Sequence, residues 1–435
     1  MTRTNLEYLV QPIGGLISSV RGLTNHPGEP RFPVMTASLG DISQLSDEPT
    51  SEPGRPRDGA IDGAGSGLEE GQARVGAIAE ALERYSSCVH DSTQFIWATA
   101  RELADEALDL DIIPRCSDRE IAHPRCLLVA PDKDSPMRWV RGVSLSTGNL
   151  VWVPAVMVYL YMPPQSRGER IWLPISTGCA AHISIERALI GAICEVIERD
   201  AISLTWLQQM ALPQIELDEI PDWLQPYLDR NRSNGDIKHI FFDATTDLGV
   251  PTVYSLQVSP HNDVLAALVM CSTELDPAVA IAKVIRESAS SRLAMQVPQQ
   301  LPDSFDDFFA VSHGAAFMGR GERLPAFDFL IQSARRRRLS NMPRLVTGHP
   351  DGDLTYLLDR LRLRGMEAIA VDLTTDEARR AGFRVVRVII PSLQPLSFHY
   401  RSRFLAHPRL YDAPRVMGFP VHAEADINPW PQPFA

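Results

Sequence analysis

Two apolar stretches with helical periodicity stand out along the chain. The first begins near Gln72 and places Ala73, Val75, Ala77, Ile78, Ala79, Ala81 and Leu82 around acidic positions. The second spans 184–210, with Ser184 as its N-cap and Ala188, Leu189, Ile190, Ala192, Ile193, Val196 and Ile197 inside it. Both are apolar on most sides, which predicts largely buried helices. Between them lie strand-like runs at 126–130 and 150–153. After Pro213 strands and helices alternate. Strands are expected at 239–242, 251–256, 264–270, 368–371 and 384–390. Helices are expected at 277–295 and 354–364, the latter stopped by Gly365, and after a cap at Thr375. The fold class is α/β, with mixed sheets and helices.

Punctuation is concentrated at two places. Residues 46–71 are rich in Pro, Gly and charge and read as a loop. Residues 428–435, Asn-Pro-Trp-Pro-Gln-Pro-Phe-Ala, are held extended by alternate prolines. No linker divides the chain, so 1–435 is taken as one domain. A subdivision into 1–212 and 213–435 would fall where the pattern changes.

Composition narrows the function classes. A chain of 435 residues with 44% hydrophobic and 22% charged residues can bury its own core. A net charge of -12 argues against nucleic-acid and anionic-membrane partners. The run Arg335–Arg338 is the exception, read as a solvated helix face or as a site for an acidic peptide. The six cysteines show neither C-x-x-C pairs nor zinc spacing. With no signal peptide and no apolar run of membrane-spanning length, a reduced cytoplasmic protein is the expectation.

The candidate chemistry lies in a repeated pentapeptide. Glu80-Ala-Leu-Glu83-Arg84 sits in the first helix and Glu195-Val-Ile-Glu198-Arg199 in the second. Carboxylates at i and i+3 share a helix face and repel unless a cation lies between them. One copy alone would read as an internal ion pair with a neighbouring arginine. Two copies in apolar helices favour a hard divalent cation held by converging oxygens. Such a site suits Mg2+ with a nucleotide, and no P-loop is present. The cluster Gly63-Ala-Gly65-Ser-Gly67 reads as a flexible loop, or as backbone able to approach a phosphate.

These segments resemble the signatures of the YcaO family. Residues 72–85 are similar to its first signature, 176–181 with 195–201 to its second, and 276–287 with Arg292 to its third. Residues 371–374 and 388–391 and the closing Asn-Pro-x-Pro-x-Pro also fit. The resemblance implies one α/β unit around an ATP and Mg2+ site, in a cyclodehydratase that makes azolines from Cys, Ser or Thr of a precursor peptide. In that chemistry the side chain attacks the preceding carbonyl, the oxyanion attacks the ATP γ-phosphate, and phosphate departs. It assigns Glu80, Glu83, Glu195 and Glu198 to metal. Ser176, Arg84, Arg199, Lys283, Glu287 and Arg292 are assigned to the nucleotide. The tail, with Pro429, Pro431, Pro433 and Ala435, is assigned to the catalytic site. The chain departs from the family pattern at Ser66 (usually Lys), Gly76 (Ser), Thr177 (Asn), Lys283 (Arg) and Ser290 (Gln). These departures bear on how phosphates and adenosine are held. The implied partners are the precursor peptide, a separate leader-binding protein, a flavin-dependent azoline dehydrogenase and a second copy in a homodimer. Thioamide- or amidine-forming relatives and a non-catalytic ATP-binding scaffold are the alternative readings.

Overall fold

The computed structural model describes residues 5–39, 62–232, 236–297 and 299–434. Three sheets are built around three long helices. The smallest is antiparallel and joins β1 (Ser19–Leu23), β2 (Val34–Ser38) and β3 (Gly63–Ser66). Helix α1 (Glu70–Cys88) lies directly on it. The contact is unusually close. A Cβ at Gly63 would stand 2.1 Å from the carbonyl oxygen of Ala77, and one at Gly65 would stand 2.1 Å from that of Ala73. Ala73, Ala77 and Ala81 are fully buried opposite them. The glycine cluster is therefore a strand pressed against a helix, not a flexible loop, because only glycine permits this approach. Of the expected loop 46–71, residues 46–61 lie outside the described residues.

The second sheet contains β4 (Ile96–Ala98), β5 (Met137–Ser144), β6 (Leu150–Pro154), β7 (Cys179–His182), β13 (Ile369–Asp372) and β14 (Arg384–Ile389). Its order is β4-β5-β13-β14-β7, with β6 paired to β5. Both α1 and α2 (Ile185–Leu207) pack on β7, so β7 is the floor between them. The third sheet runs β11 (Ala267–Thr273), β10 (Thr252–Val258), β9 (Lys238–Asp243), β8 (Gln214–Glu216) and β12 (Arg336–Arg338). Helix α3 (Pro277–Met295) covers β10 and β11.

Local signals place the helices well. Ser184 caps α2 by accepting from the backbone of Arg187, and Asp276 caps α3 ahead of Pro277. Gly365, at φ +67°, follows α4 (Pro350–Arg362). The first half of α2 packs with Leu357 and Leu361 of α4, while its second half enters the core of the third sheet. That division explains why α2 is apolar all round.

Three expectations are corrected. The arginine run forms an exposed edge strand instead of a helix face, since β8 offers it a ladder. Residues 126–130 join no sheet, although the amide of Val129 donates to the carbonyl of Arg170 at 2.8 Å. The strand expected at 264–270 begins only at Ala267. The six cysteines are free, and four of them are buried. No helix among the described residues is long and apolar enough to cross a membrane.

Candidate active site

The two E-x-x-E-R motifs face one another across β7. On α1, Glu80 accepts from the amide of Ala64 on β3 at 2.7 Å and pairs with Nη2 of Arg84 at 2.6 Å. The same guanidinium donates to the carbonyl of Asp62 at 2.9 Å. On α2, Arg199 bridges both carboxylates of its own motif, 3.1 Å from Glu195 and 2.5 Å from Glu198. Glu195 also accepts from the amide of Gly178 at 2.9 Å, and Glu198 accepts from that of Thr273 at 3.0 Å. The motifs are thus tied by backbone amides to β3, to β11 and to the turn that leads into β7. Rigid elements of this kind hold a constellation better than loops.

Negative charge is in excess here. Removal from water, then the nearby Glu195 and Glu80, push the Glu83 carboxyl well above its ordinary range. Burial raises Glu198 to about 7, although Arg199 and Lys283 oppose the shift. Burial works against the charge of Lys283, but Glu274, Glu287, Glu198 and Glu195 together outweigh it and hold its proton firmly. Lys283 lies 3.3 Å from Glu274, and Arg286 lies 3.5 Å from Glu287. Six glutamates therefore meet Arg84, Arg199, Lys283 and Arg286. The surplus of two carboxylates is relieved by protonation, towards which Glu83 and Glu198 are shifted, or by a bound cation. Among the described residues, no three His, Cys, Asp or Glu side chains stand arranged as a metal site; guanidinium groups hold the carboxylates.

The predicted residues do not all converge. Glu80, Glu83, Glu195, Glu198, Arg84, Arg199, Lys283 and Glu287 belong to one electrostatic cluster. Arg292 is instead buried against Glu29, with Nη2 3.0 Å from its carboxylate. Ser176 begins the loop into β7, its carbonyl accepting from Cys179 at 2.9 Å. Gly178 in that loop has φ +85°, and a Cβ there would stand 2.3 Å from the carbonyl oxygen of Val388. The departures have structural partners in part. Ser66 donates to the carbonyl of Arg286 at 3.0 Å, and Ser290 donates to that of Glu287 at 2.9 Å. The hydroxyl of Thr177 is buried and finds no partner among the described residues. It lines a cavity of about 40 Å3 that also borders Arg199, Arg387 and Gln394.

The family follows from a match over most of the chain. Residues 64–394 match the model described as YcaO cyclodehydratase, ATP- and Mg2+-binding. The chain belongs to the YcaO family. An uncharacterized protein of Methanothermobacter thermautotrophicus is 30% identical over 357 residues, covering 80% of this chain and 85% of that one. Among solved YcaO-like folds, a heterocyclase in complex with substrate and cofactor superposes with TM-score 0.80 at 23% identity. That similarity covers 99% of this chain and 57% of the heterocyclase, so this chain spans little more than half of its length. The YcaO protein from Methanopyrus kandleri, bound with AMPPCP and Mg2+, superposes with TM-score 0.61 at 19% identity, covering 87% of this chain and 86% of that one. At these identities the likeness is one of fold. It agrees with the mixed sheets and helices expected from the sequence.

The last described residues of this YcaO protein run to the same place. Asn428 is fully buried and grips the end of α2: its amide donates to the carbonyl of Leu207, and its side chain donates to that of Trp206, both at 3.0 Å. Trp206 returns a bond to the carbonyl of Trp430 at 3.2 Å, and Tyr400 donates to that of Pro429 at 2.8 Å. Phe434 then bridges Val269 on the free edge of β11, and its ring lies over Arg199. Ala435 lies outside the described residues. Sequence reasoning missed Phe434, Glu274, and the amides of Ala64, Gly178 and Thr273. Backbone donors carry no residue signature, and Glu274 could be suspected only from the need of Lys283 for a partner.

Proposed function

We propose that this YcaO protein is an ATP-dependent cyclodehydratase acting on Cys, Ser or Thr of a ribosomally made precursor peptide. The observation that carries the reading is the facing pair of E-x-x-E-R helices with more carboxylates than cations between them. The donor set suits Mg2+, a hard ion that binds through carboxylates and substrate phosphates. Glu80, Glu83, Glu195 and Glu198 would hold it, with Ser176, Arg84, Arg199, Lys283 and Glu287 towards the nucleotide. The pairing of Arg292 with Glu29 gives that residue a supporting role instead. Bound ATP would supply the phosphoryl group that turns the peptide amide oxygen into a leaving group.

The chain's own residues do the rest. With metal bound to their carboxylates, Arg84 and Arg199 would be free to face the transferring group and neutralise developing charge. The apolar packing of α1, α2 and β11 holds these elements in place around the site. The tail, braced by Pro429, Pro431 and Pro433, would be the element that orients the peptide. A separate leader-binding protein would supply the precursor. An azoline dehydrogenase and a second copy are further partners of this reading.

The test is mass spectrometry of a precursor incubated with the protein, its partner, ATP and Mg2+. Loss of one water per ring, matched by phosphate release, is expected. A peptide that gains the mass difference of sulfur for oxygen would make this a thioamide-forming enzyme. An unmodified peptide with no ATP turnover would leave only a scaffold.

A further inference from the structure

The four consecutive arginines take no part in the site above. All four are exposed, and Arg336–Arg338 form the terminal strand of the third sheet. β12 pairs parallel with β8 on one side, and no strand among the described residues pairs with its other side. Such an edge presents backbone N–H and C=O groups to which another extended chain can add.

The side chains differ in how far they are committed. Strand alternation puts Arg336 and Arg338 on one face and Arg337 on the other. Arg337 lies 3.8 Å from Asp243 and donates to the carbonyl of Asn341 at 2.6 Å. The guanidinium of Arg335 stands 4.7 Å from the ring centre of Phe419. Among the described residues, Arg336 donates to carbonyls alone, those of Ser333 and Arg335. Glu216 is the register partner of Arg338, yet among the described residues neither Arg336 nor Arg338 has a carboxylate within ion-pair distance. On a chain of net charge -12, an acidic segment meets repulsion over most of the surface and attraction at this edge.

We propose that β12 is a docking edge for an acidic, extended segment of the precursor peptide. The segment adds as a further strand, with carboxylates at alternate positions against Arg336 and Arg338. Backbone pairing supplies affinity and the alternating charges set register. This rests on the peptide-modifying reading above and gives it a recognition surface outside the reaction centre.

The test is fluorescence anisotropy on the full chain, with a labelled synthetic peptide in which Glu alternates with Thr. Wild type should bind it at low salt, and binding should fall at ~0.5 M NaCl. Charge reversal at Arg336→Glu and Arg338→Glu together should weaken binding by at least about tenfold. Reversal at Arg362→Glu and Arg415→Glu, exposed arginines on helices, should leave it unchanged. Absence of binding to wild type, equal binding to the β12 variant, or equal binding of a Lys-for-Glu peptide each overturns the proposal. If the double variant aggregates, the arginines also guard the edge, and Arg338→Gln decides the matter: weakening of about threefold sustains docking and unchanged binding overturns it. No ATP turnover is needed, so failure of the proposed chemistry would not alter this result.

Discussion

The ring of Phe434 lies over the guanidinium of Arg199, 4.7 Å from ring centre to Cζ. This contact joins the proline-rich tail to the residue that bridges Glu195 and Glu198. Phe434→Ala removes the contact while leaving Asn428 and Trp430 to hold the rest of the tail. Ring formation should fall about tenfold through loss of positioning, with nucleotide affinity changing less than about threefold. Mass spectrometry and calorimetry on the same variant separate the two. An equal fall in both would make Phe434 part of nucleotide binding only.

The charge crowding around Glu83 has a measurable sign. Burial, and then its neighbours Glu195 and Glu80, disfavour its ionised form in the metal-free protein. Glu83→Gln removes the repulsion at nearly constant volume. Thermal stability without Mg2+ should rise, by about 1 kcal/mol, while ATP-dependent modification is lost. A variant that is less stable and fully active would refute both the crowding and the metal role.

Gly178 tests the loop that orders Glu195. Gly178→Ala meets both a left-handed backbone and the carbonyl of Val388, and should lose about 2 kcal/mol or more. Gly348 has φ +91° in open space, so Gly348→Ala should lose only about 1 kcal/mol. Urea denaturation compares them. Equal losses would mean that the approach to Val388 is not limiting.

Acid sensitivity follows from His407. Burial pulls its imidazole down to about 4. The unfolded chain takes up a proton below about pH 6.5, and the folded protein refuses it. Its contribution to stability is therefore complete above pH 6.5 and declines as pH falls towards 4, by about 1.4 kcal/mol per pH unit. His407→Asn should make the stability profile shallower by one proton between those values. An unchanged slope in urea titrations across that range would show that His407 is not the group responsible.

What the amino-acid sequence determined was local. Ser184, Asp276 with Pro277, Thr375 and Gly365 mark helix ends because capping bonds span only two to four residues. The repeated E-x-x-E-R spacing places both carboxylates and the arginine on one side of a turn wherever the helix lies. The tail is extended because its prolines leave little else. Tertiary structure decided the rest. Gly63–Ser66 became a strand through the alanine face of α1, and Arg336–Arg338 through the offered edge of β8. Arg292 was drawn to Glu29, 263 residues away, while Phe434 was brought to Val269 and Arg199. Such pairings depend on which sheet edges and buried charges remain unsatisfied after the helices and strands have packed, and short-range pattern carries no trace of that.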